Sequence, residues 1–171
     1  ATVGLDIYFP EPDRNSPGKL AEARPDLPAP LRAALAEMDP NDAFLADSLR
    51  RTPSVIASVG FREKLPGSNN PLLGAETVSA KVEPPALKRY AHVLASLPEL
   101  QRAARGGAVV NAEPEGGIVR RVPLVAEVAG RLMPSLAVEM WRLAGTDLRA
   151  VELSAKMLRI GTLTIPLDEA G

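Results

Sequence analysis

The stretch from residue 106 to residue 145 constrains the fold more than any other part of the chain. It reads GGAVVNAEPEGGIVRRVPLVAEVAGRLMPSLAVEMWRLAG. Short runs of β-branched residues, separated by a Pro- and Gly-rich turn, predict a strand over 108–111 and an extended run over 118–128. The spacing that follows predicts a helix that Pro134 opens and Gly145 closes in a left-handed conformation. Strands followed directly by a helix indicate a sheet covered by helices.

Similar patterns, typical of strands and helices, recur along the chain. Residues 2–9 and the nearly continuous apolar run over 55–61 predict strands, and the second has the composition of a strand covered on both faces. An acid-led helix is expected just before 55–61. Three further short strands are predicted within 151–165. We therefore predict an α/β or α+β fold, a single domain with a central mixed sheet and helices packed on its faces.

Two more helical features complete the predicted architecture. A helix is expected over 86–97, with Leu87, Tyr90 and Leu94 on one face. His92 lies off that face and is assigned no chemistry, since a lone histidine is usually a surface or boundary residue. In the helix that ends at Gly145, Trp141 is expected to belong to the core.

Residues 62–84 are predicted to be a long irregular insert. The segment contains a Pro-, Gly- and Asn-rich centre that does not favour regular structure. A loop of this length in a compact domain is either functional or mobile. We expect it to be a mobile insert.

The composition excludes several classes of function. The chain has no cysteine and one histidine, so disulfides, zinc–thiolate sites and thiolate catalysis are excluded. No Walker loop, GxGxxG, HExxH or nucleophile elbow is present. The net charge of −1 and the 4% aromatic content do not favour nucleic-acid binding. We predict no cofactor and no metal.

The candidate ligand-binding residues are Asp6, Asp13, Asn111 and Arg120. Asp6, with Glu11 and Asp13, lies at or just beyond the end of the first strand, where ligand crevices of open α/β sheets occur. The alternative is that they are solvated loop acids. Arg120 could hold a carboxylate or phosphate in a bidentate manner. Its alternative is an ion pair with an acid of the 113–117 turn.

Five segments, in order and with matching spacing, resemble the CHASE2 domain, an extracytoplasmic sensor module of bacterial transmembrane receptors. They are GLDIYFPEPD at 4–13, DAFLADSLRRTPSVIASVGF at 42–61, GGAVVNAEPEGGIVRRVPL at 106–124, PSLAVEMWRLAG at 134–145 and IPLDEAG at 165–171. The Asp-x-Asp-Gly turn of the family is replaced here by Glu113-Pro114-Glu115-Gly116-Gly117. We expect the chain to be an incomplete piece of a larger domain, because it starts within a strand and stops in a turn.

The resemblance implies a non-catalytic sensor that lies on the extracytoplasmic, periplasmic side of the membrane. It implies a membrane-anchored parent receptor that couples a small-molecule signal to a cyclase or kinase domain, and it is compatible with a homodimer. The elements expected to switch are the 62–84 loop and the helix over 134–145. The alternatives are a dimerisation module without a ligand, and an α/β hydrolytic enzyme that uses Asp6 or Asp13.

Overall fold

The structure, a computed structural model, describes residues 1–66, 70–82, 87–112, 114, 116–145 and 150–168. Within these residues helices and mixed sheets form a single-domain α+β fold, as the sequence predicts. In chain order the elements are β1 (Val3–Leu5), α1 (Pro17–Ala23), α2 (Ala29–Ala36), α3 (Asn41–Arg51), β2 (Ser54–Phe61), β3 (Val78–Ala80), β4 (Lys88–Tyr90), β5 (His92–Ala95), α4 (Pro98–Ala103), β6 (Gly106–Val109), β7 (Val125–Val128), β8 (Arg131–Pro134), α5 (Leu136–Ala144), β9 (Val151–Leu153), β10 (Met157–Ile160) and β11 (Leu163–Pro166).

Strand β2 is the centre of the main sheet, which consists of β1, β2, β5 and β6. Six of its eight residues are buried, as its continuous apolar sequence predicts. One edge of β2 pairs with β1 in parallel over Ser54–Ile56 and then with β5 in antiparallel over Ser58–Phe61. The other edge pairs with β6 in parallel. Three separate parts of the chain therefore meet on one strand.

Two smaller sheets complete the domain. The hairpin sheet has the order β4-β7-β8, and the terminal sheet has the order β11-β10-β9-β3. A parallel bridge between Val109 and Ser135 joins the end of β6 to the residue after β8. The hairpin sheet therefore continues the main sheet beyond β6.

The helix predicted over 86–97 is wrong: within the described residues the segment forms β4 and β5. The ladder hydrogen bonds come from two separate neighbours, since β4 pairs with β7 and β5 pairs with β2. Gly60 allows this arrangement, because a Cβ built there would lie 2.6 Å from Cβ of the buried Tyr90. Tertiary pairing has overridden a local spacing that suits a helix.

The 118–128 run and the start of the following helix are also corrected. The run is a strand only over β7, and it turns back through Ala129 and Gly130, both of which have positive φ. Pro134 ends β8 instead of opening a helix, and Ser135 caps α5 by accepting a hydrogen bond from the Val138 N–H. Gly145 follows α5 as predicted, but its backbone is extended and not left-handed.

Helix α5 buries a face that combines apolar residues with a charged pair. Its buried residues are Val138, Glu139, Arg142 and Leu143. Trp141 is 61% exposed, so its expected place in the core is wrong. The helix is rotated so that a charged pair, and not the largest aromatic side chain, faces the interior.

The 62–84 segment is not irregular throughout, because it contains β3, which pairs in parallel with β9. Residues 67–69 and 83–84 of this segment lie outside the described residues. The mobility of the segment stays a prediction. Among the described helices, none has the length and apolar character needed to cross a membrane.

Candidate ligand-binding cavity

A cavity of about 260 Å³ lies where the main sheet meets α5, β8 and residues 70–77, which we call the wall segment. The lining combines aliphatic side chains, glycine backbone and a few polar groups, a mixture typical of small-molecule sites. The lining residues are Ile56, Ser58, Leu72, Leu73, Gly74, Ala75, Thr77, Gln101, Ala104, Arg105, Gly106, Gly107, Leu132, Met133, Pro134, Glu139 and Arg142.

A buried ion pair on α5 forms part of this lining. Arg142 Nε donates to Glu139 Oε2 at 2.8 Å, and Arg142 Nη2 donates to Oε1 at 2.7 Å. The side chains of Glu139 and Arg142 are 0% and 8% exposed. Bidentate geometry makes this the strong form of the interaction, and pairing is what permits both charges to be buried. The pair is therefore a fixed polar feature of the cavity.

Gly106 allows the ion pair to lie against the main sheet. A Cβ built at Gly106 would lie 2.4 Å from Glu139 Oε1, closer than a non-bonded contact permits. Gly106 is the first residue of β6 and follows the C-cap of α4, Ala104, by two positions. Thr77 Oγ1 lies 3.5 Å from Glu139 Oε2, at the outer limit of a hydrogen bond.

Ser58 contributes a hydroxyl group to the lining of the cavity. The residue is 3% exposed and lies in the centre of β2. Within the described residues its hydroxyl has no hydrogen-bond partner, and it lines the cavity. Buried polar side chains in proteins are normally satisfied by protein or by ordered water. The Ser58 hydroxyl is thus available to a bound molecule.

Gln101 holds the wall segment from the α4 side. Its Oε1 accepts a hydrogen bond from the Leu73 N–H at 2.8 Å. Its Nε2 donates to the carbonyl oxygens of Pro71 and Ser96, at 2.9 and 2.6 Å. The Gln101 side chain therefore binds backbone groups of the wall segment and also the backbone of Ser96, which precedes α4.

Arg131 and Asn70 add further anchors. Arg131 donates from Nη1 to the Leu72 carbonyl at 3.0 Å and from Nη2 to the Gly74 carbonyl at 2.8 Å. Asn70 Nδ2 donates to the carbonyl oxygens of Pro10 and Ala95. No described residue of the wall segment belongs to a strand or helix. Side-chain hydrogen bonds therefore hold most of this wall, and segments without a strand or helix ladder open at lower free energy than a core strand.

Of the candidate residues from the sequence, Asp13 has a structural role at the start of α3. Its Oδ1 accepts from the Asn15 N–H and its Oδ2 from Asn41 Nδ2, at 2.9 and 2.8 Å. These bonds, first the backbone one and then that of Asn41, hold the pKa of Asp13 below its usual value. The Asp13 N–H in turn donates to Asp42. The carboxylate is thus engaged within the protein.

Asn111 also has a structural role. Its Oδ1 accepts from the Gly60 N–H at 2.7 Å, and its Nδ2 donates to the Gly60 carbonyl at 2.8 Å. The side chain therefore extends the β2–β6 ladder by one more paired position beyond the end of β6. This use of both amide groups leaves Asn111 little capacity for a ligand.

The other candidates lie apart from the cavity. Asp6 and Arg120 are exposed, and Glu11 pairs with Arg14 at the surface. No hydrogen bond or ion pair joins any two of Asp6, Asp13, Asn111 and Arg120, and none of the four lines the cavity. The acids proposed to pair with Arg120, at positions 113 and 115, lie outside the described residues. Across the described part of the chain, no cluster of three His, Asp or Glu residues could hold a metal ion.

The residues that line the cavity were missed because their sequence signals are weak. Glu139 and Arg142 stand three positions apart within an apolar helix, which is the one local sign of a buried pair. Ser58 is an isolated hydroxyl in a buried strand. Gln101 and Leu73 are 28 residues apart in sequence and carry no local pattern.

The comparison with family models identifies the family of the chain. The model of the CHASE2 domain matches residues 1–171, the whole chain. No curated protein and no solved structure is detectably similar to the chain. The chain belongs to the CHASE2 domain family, a family of extracytoplasmic sensory domains of membrane receptors. The resemblance found from the sequence is confirmed.

Proposed function

We propose that this domain is the ligand-binding sensor of a bacterial membrane receptor and that the ligand binds in the cavity beside α5. The observation that carries the proposal is the unpartnered hydroxyl of Ser58 in a cavity that also holds a buried ion pair. A site that combines a hydroxyl without a protein partner, a fixed ion pair and aliphatic walls offers both polar contacts and apolar contact area to a small ligand.

The two segments that the sequence predicts to switch supply two sides of this cavity. The wall segment is part of 62–84, and α5 occupies most of 134–145. A ligand shifts an equilibrium only by the difference in its affinity for the two states. A ligand that contacts both sides would favour the state in which they are closest. This supports a role in passing an extracytoplasmic, periplasmic signal to a cytoplasmic cyclase or kinase domain of the parent protein.

The proposal is tested by thermal unfolding in the presence of a panel of organic acids, amines, sugars and nucleosides. A compound that binds only the folded domain raises the midpoint temperature by mass action. We expect at least one chemical class to do so. The shift should be lost in Ala75→Trp, because Ala75 is an exposed residue of the cavity lining.

The matched control is Ala91→Trp, at an exposed alanine away from the cavity. It should keep the ligand-induced shift. If no class stabilises the domain, or if both tryptophan variants retain the shift equally, binding in this cavity is ruled out.

A second candidate function is a dimerisation module without a small-molecule ligand. The observation that favours it is a set of exposed apolar side chains on the first three helices: Leu20 on α1, Leu31 on α2 and Phe44 on α3. Exposed apolar side chains that lie together form interaction surfaces, and these three would do so if they share one face. Sedimentation at increasing concentration tests this candidate, with Phe44→Glu expected to shift a homodimer towards the monomer. The sensor proposal is compatible with such a homodimer.

The hydrolytic alternative receives no support from the carboxylates on which it was based. Asp13 is held by Asn15 and Asn41, and Glu11 is paired with Arg14. Asp6 is exposed, and no described contact brings it to either acid. A general acid or base must lie within reach of the reacting atoms, and none of these three acids lines the cavity.

A further inference from the structure

The geometry points to a small monocarboxylate with a short apolar chain as the ligand of the cavity, bound by the guanidinium groups of Arg105 and Arg142 and by the Ser58 hydroxyl. This inference rests on the proposed function, because it names the chemical class that the same cavity takes.

The charge of the lining favours an anion. The ionisable residues of the lining are Arg105, Arg142 and Glu139. The Glu139 carboxylate is neutralised by Arg142, and arginine stays protonated at all relevant pH values. The remaining charge is one cation, that of Arg105, whose side chain has no hydrogen bond or ion pair within the described residues. A single negative charge on the ligand would compensate it.

Two donors of the lining residues, on Arg142 and Ser58, have no partner among the described residues. Arg142 uses Nε and Nη2 for Glu139, so Nη1 has no partner among the described residues. The Ser58 hydroxyl can donate as well. The carbonyl oxygens of Leu72 and Gly74 already accept from Arg131. A carboxylate, which only accepts, satisfies these donors, whereas an ammonium group would be repelled.

The size and the remaining lining favour a short apolar chain. Pockets for drug-sized ligands are roughly 300–1,000 Å³, and the cavity is smaller, at about 260 Å³. Leu72, Leu132 and Met133 supply aliphatic surface beside the polar groups. A phosphate would bring more negative charge than one guanidinium compensates and would leave this surface without a partner.

The test is isothermal titration calorimetry of the chain with straight-chain carboxylates of two to eight carbons. Inorganic phosphate, butylamine and butyramide are the comparison probes, and butyramide is the uncharged counterpart of butyrate. We expect saturable binding of one or more carboxylates, with much weaker binding of the three comparison probes. Arg105→Gln should weaken carboxylate binding by about tenfold or more, the usual effect of losing a charge-assisted hydrogen bond.

The control variant is Arg102→Gln, because Arg102 is exposed near the end of α4, three residues before Arg105, and does not line the cavity. It should bind carboxylates with unchanged affinity. Ser58→Ala should weaken binding severalfold without removing the charge preference. Arg105 is exposed, so its replacement is not expected to prevent folding.

Two outcomes separate this inference from the proposed function. If butyramide or butylamine binds as well as butyrate and Ala75→Trp abolishes that binding, the cavity is a ligand site but the carboxylate inference is wrong. If no carboxylate binds, or if Arg105→Gln and Arg102→Gln bind alike, the inference is also overturned. Failure of the whole chemical panel to stabilise the domain would overturn both.

Discussion

Glu139 and Arg142, one turn apart on α5, form a bidentate ion pair in which neither side chain has appreciable contact with solvent. Removing one partner leaves the other charge buried and unpaired. We predict that Glu139→Leu lowers the free energy of unfolding by about 3–5 kcal/mol. The double variant Glu139→Leu with Arg142→Met should recover most of that loss, because both charges are then gone. Urea unfolding measures both values.

The control for the ion pair is Asp47→Ala, which breaks the exposed pair of Asp47 with Arg50 at the same spacing on α3. Exposed pairs contribute little, so we expect a loss below about 1 kcal/mol. Similar losses in Glu139→Leu and Asp47→Ala would show that the buried pair has no special role in stability.

Gly106→Ala is predicted to destabilise the domain by steric conflict with Glu139. The new Cβ would lie 2.4 Å from Oε1, so the ion pair or β6 must shift. Overpacking of this kind costs about 1–3 kcal/mol, measured by thermal unfolding. The neighbouring Gly107→Ala is the matched control, because its Cβ would meet its nearest neighbour, Met133 Cε, at 3.8 Å. Equal losses in the two variants would contradict the packing argument.

Gln101→Ala is predicted to loosen the wall segment. Three hydrogen bonds that tie Pro71, Leu73 and Ser96 to Gln101 are lost together. We expect faster hydrogen exchange in peptides that cover 70–77, with little change in the main sheet. Mass spectrometry of deuterium uptake measures this, with Arg102→Ala as the control on the same helix. Unchanged exchange at 70–77 would show that Gln101 does not hold the wall.

Asn111→Asp is predicted to weaken the end of the main sheet without affecting the cavity. An aspartate keeps the acceptor for the Gly60 N–H but places a charged oxygen against the Gly60 carbonyl. The expected loss is about 1–3 kcal/mol in the free energy of unfolding. Asn15→Asp, at an exposed position, should have little effect. A change in ligand affinity at unchanged stability would instead return Asn111 to the ligand site.

Asp13→Asn is predicted to alter the pH dependence of stability. Hydrogen bonds from Asn15 and Asn41 lower the pKa of Asp13 in the folded state. The carboxylate therefore stabilises the fold above the unfolded-state pKa of about 4 and loses this effect as the pH falls through the lower folded-state value. At pH 7 the midpoint temperature of unfolding should be higher for the wild-type domain than for Asp13→Asn. The difference between the two midpoint temperatures should shrink towards pH 3. A difference that grows on acidification would contradict this assignment.

The sequence identified those elements whose signals are local. Strand β2 is a continuous apolar run, and the pair β10 and β11 is bounded by turn residues, so both were predicted within one or two residues. The strands β4 and β5 were predicted as a helix because their hydrogen-bond partners, β7 and β2, are distant in sequence. Local spacing contains no information about such pairing.

The cavity could not be predicted for the same physical reason. Its polar groups come from β2, the wall segment, α4 and α5. The sequence around each of these groups has no local pattern that indicates a binding site. Asp6 and Asp13 were predicted as site residues because they lie at or beyond the end of a strand, but both lie outside the cavity. The Asp13 carboxylate accepts a hydrogen bond from Asn41, the first residue of α3. The Glu139 side chain lies against Gly106, and nothing in the local sequence around Gly106 indicates this contact.

The wall segment continues without interruption into β3, the edge strand that pairs with β9. Any inward movement of this wall must therefore pull on β3 and, through its ladder, on the meander formed by the last three strands. The cavity and that meander are thus joined by one uninterrupted length of backbone, which runs from the wall segment into the edge of the terminal sheet.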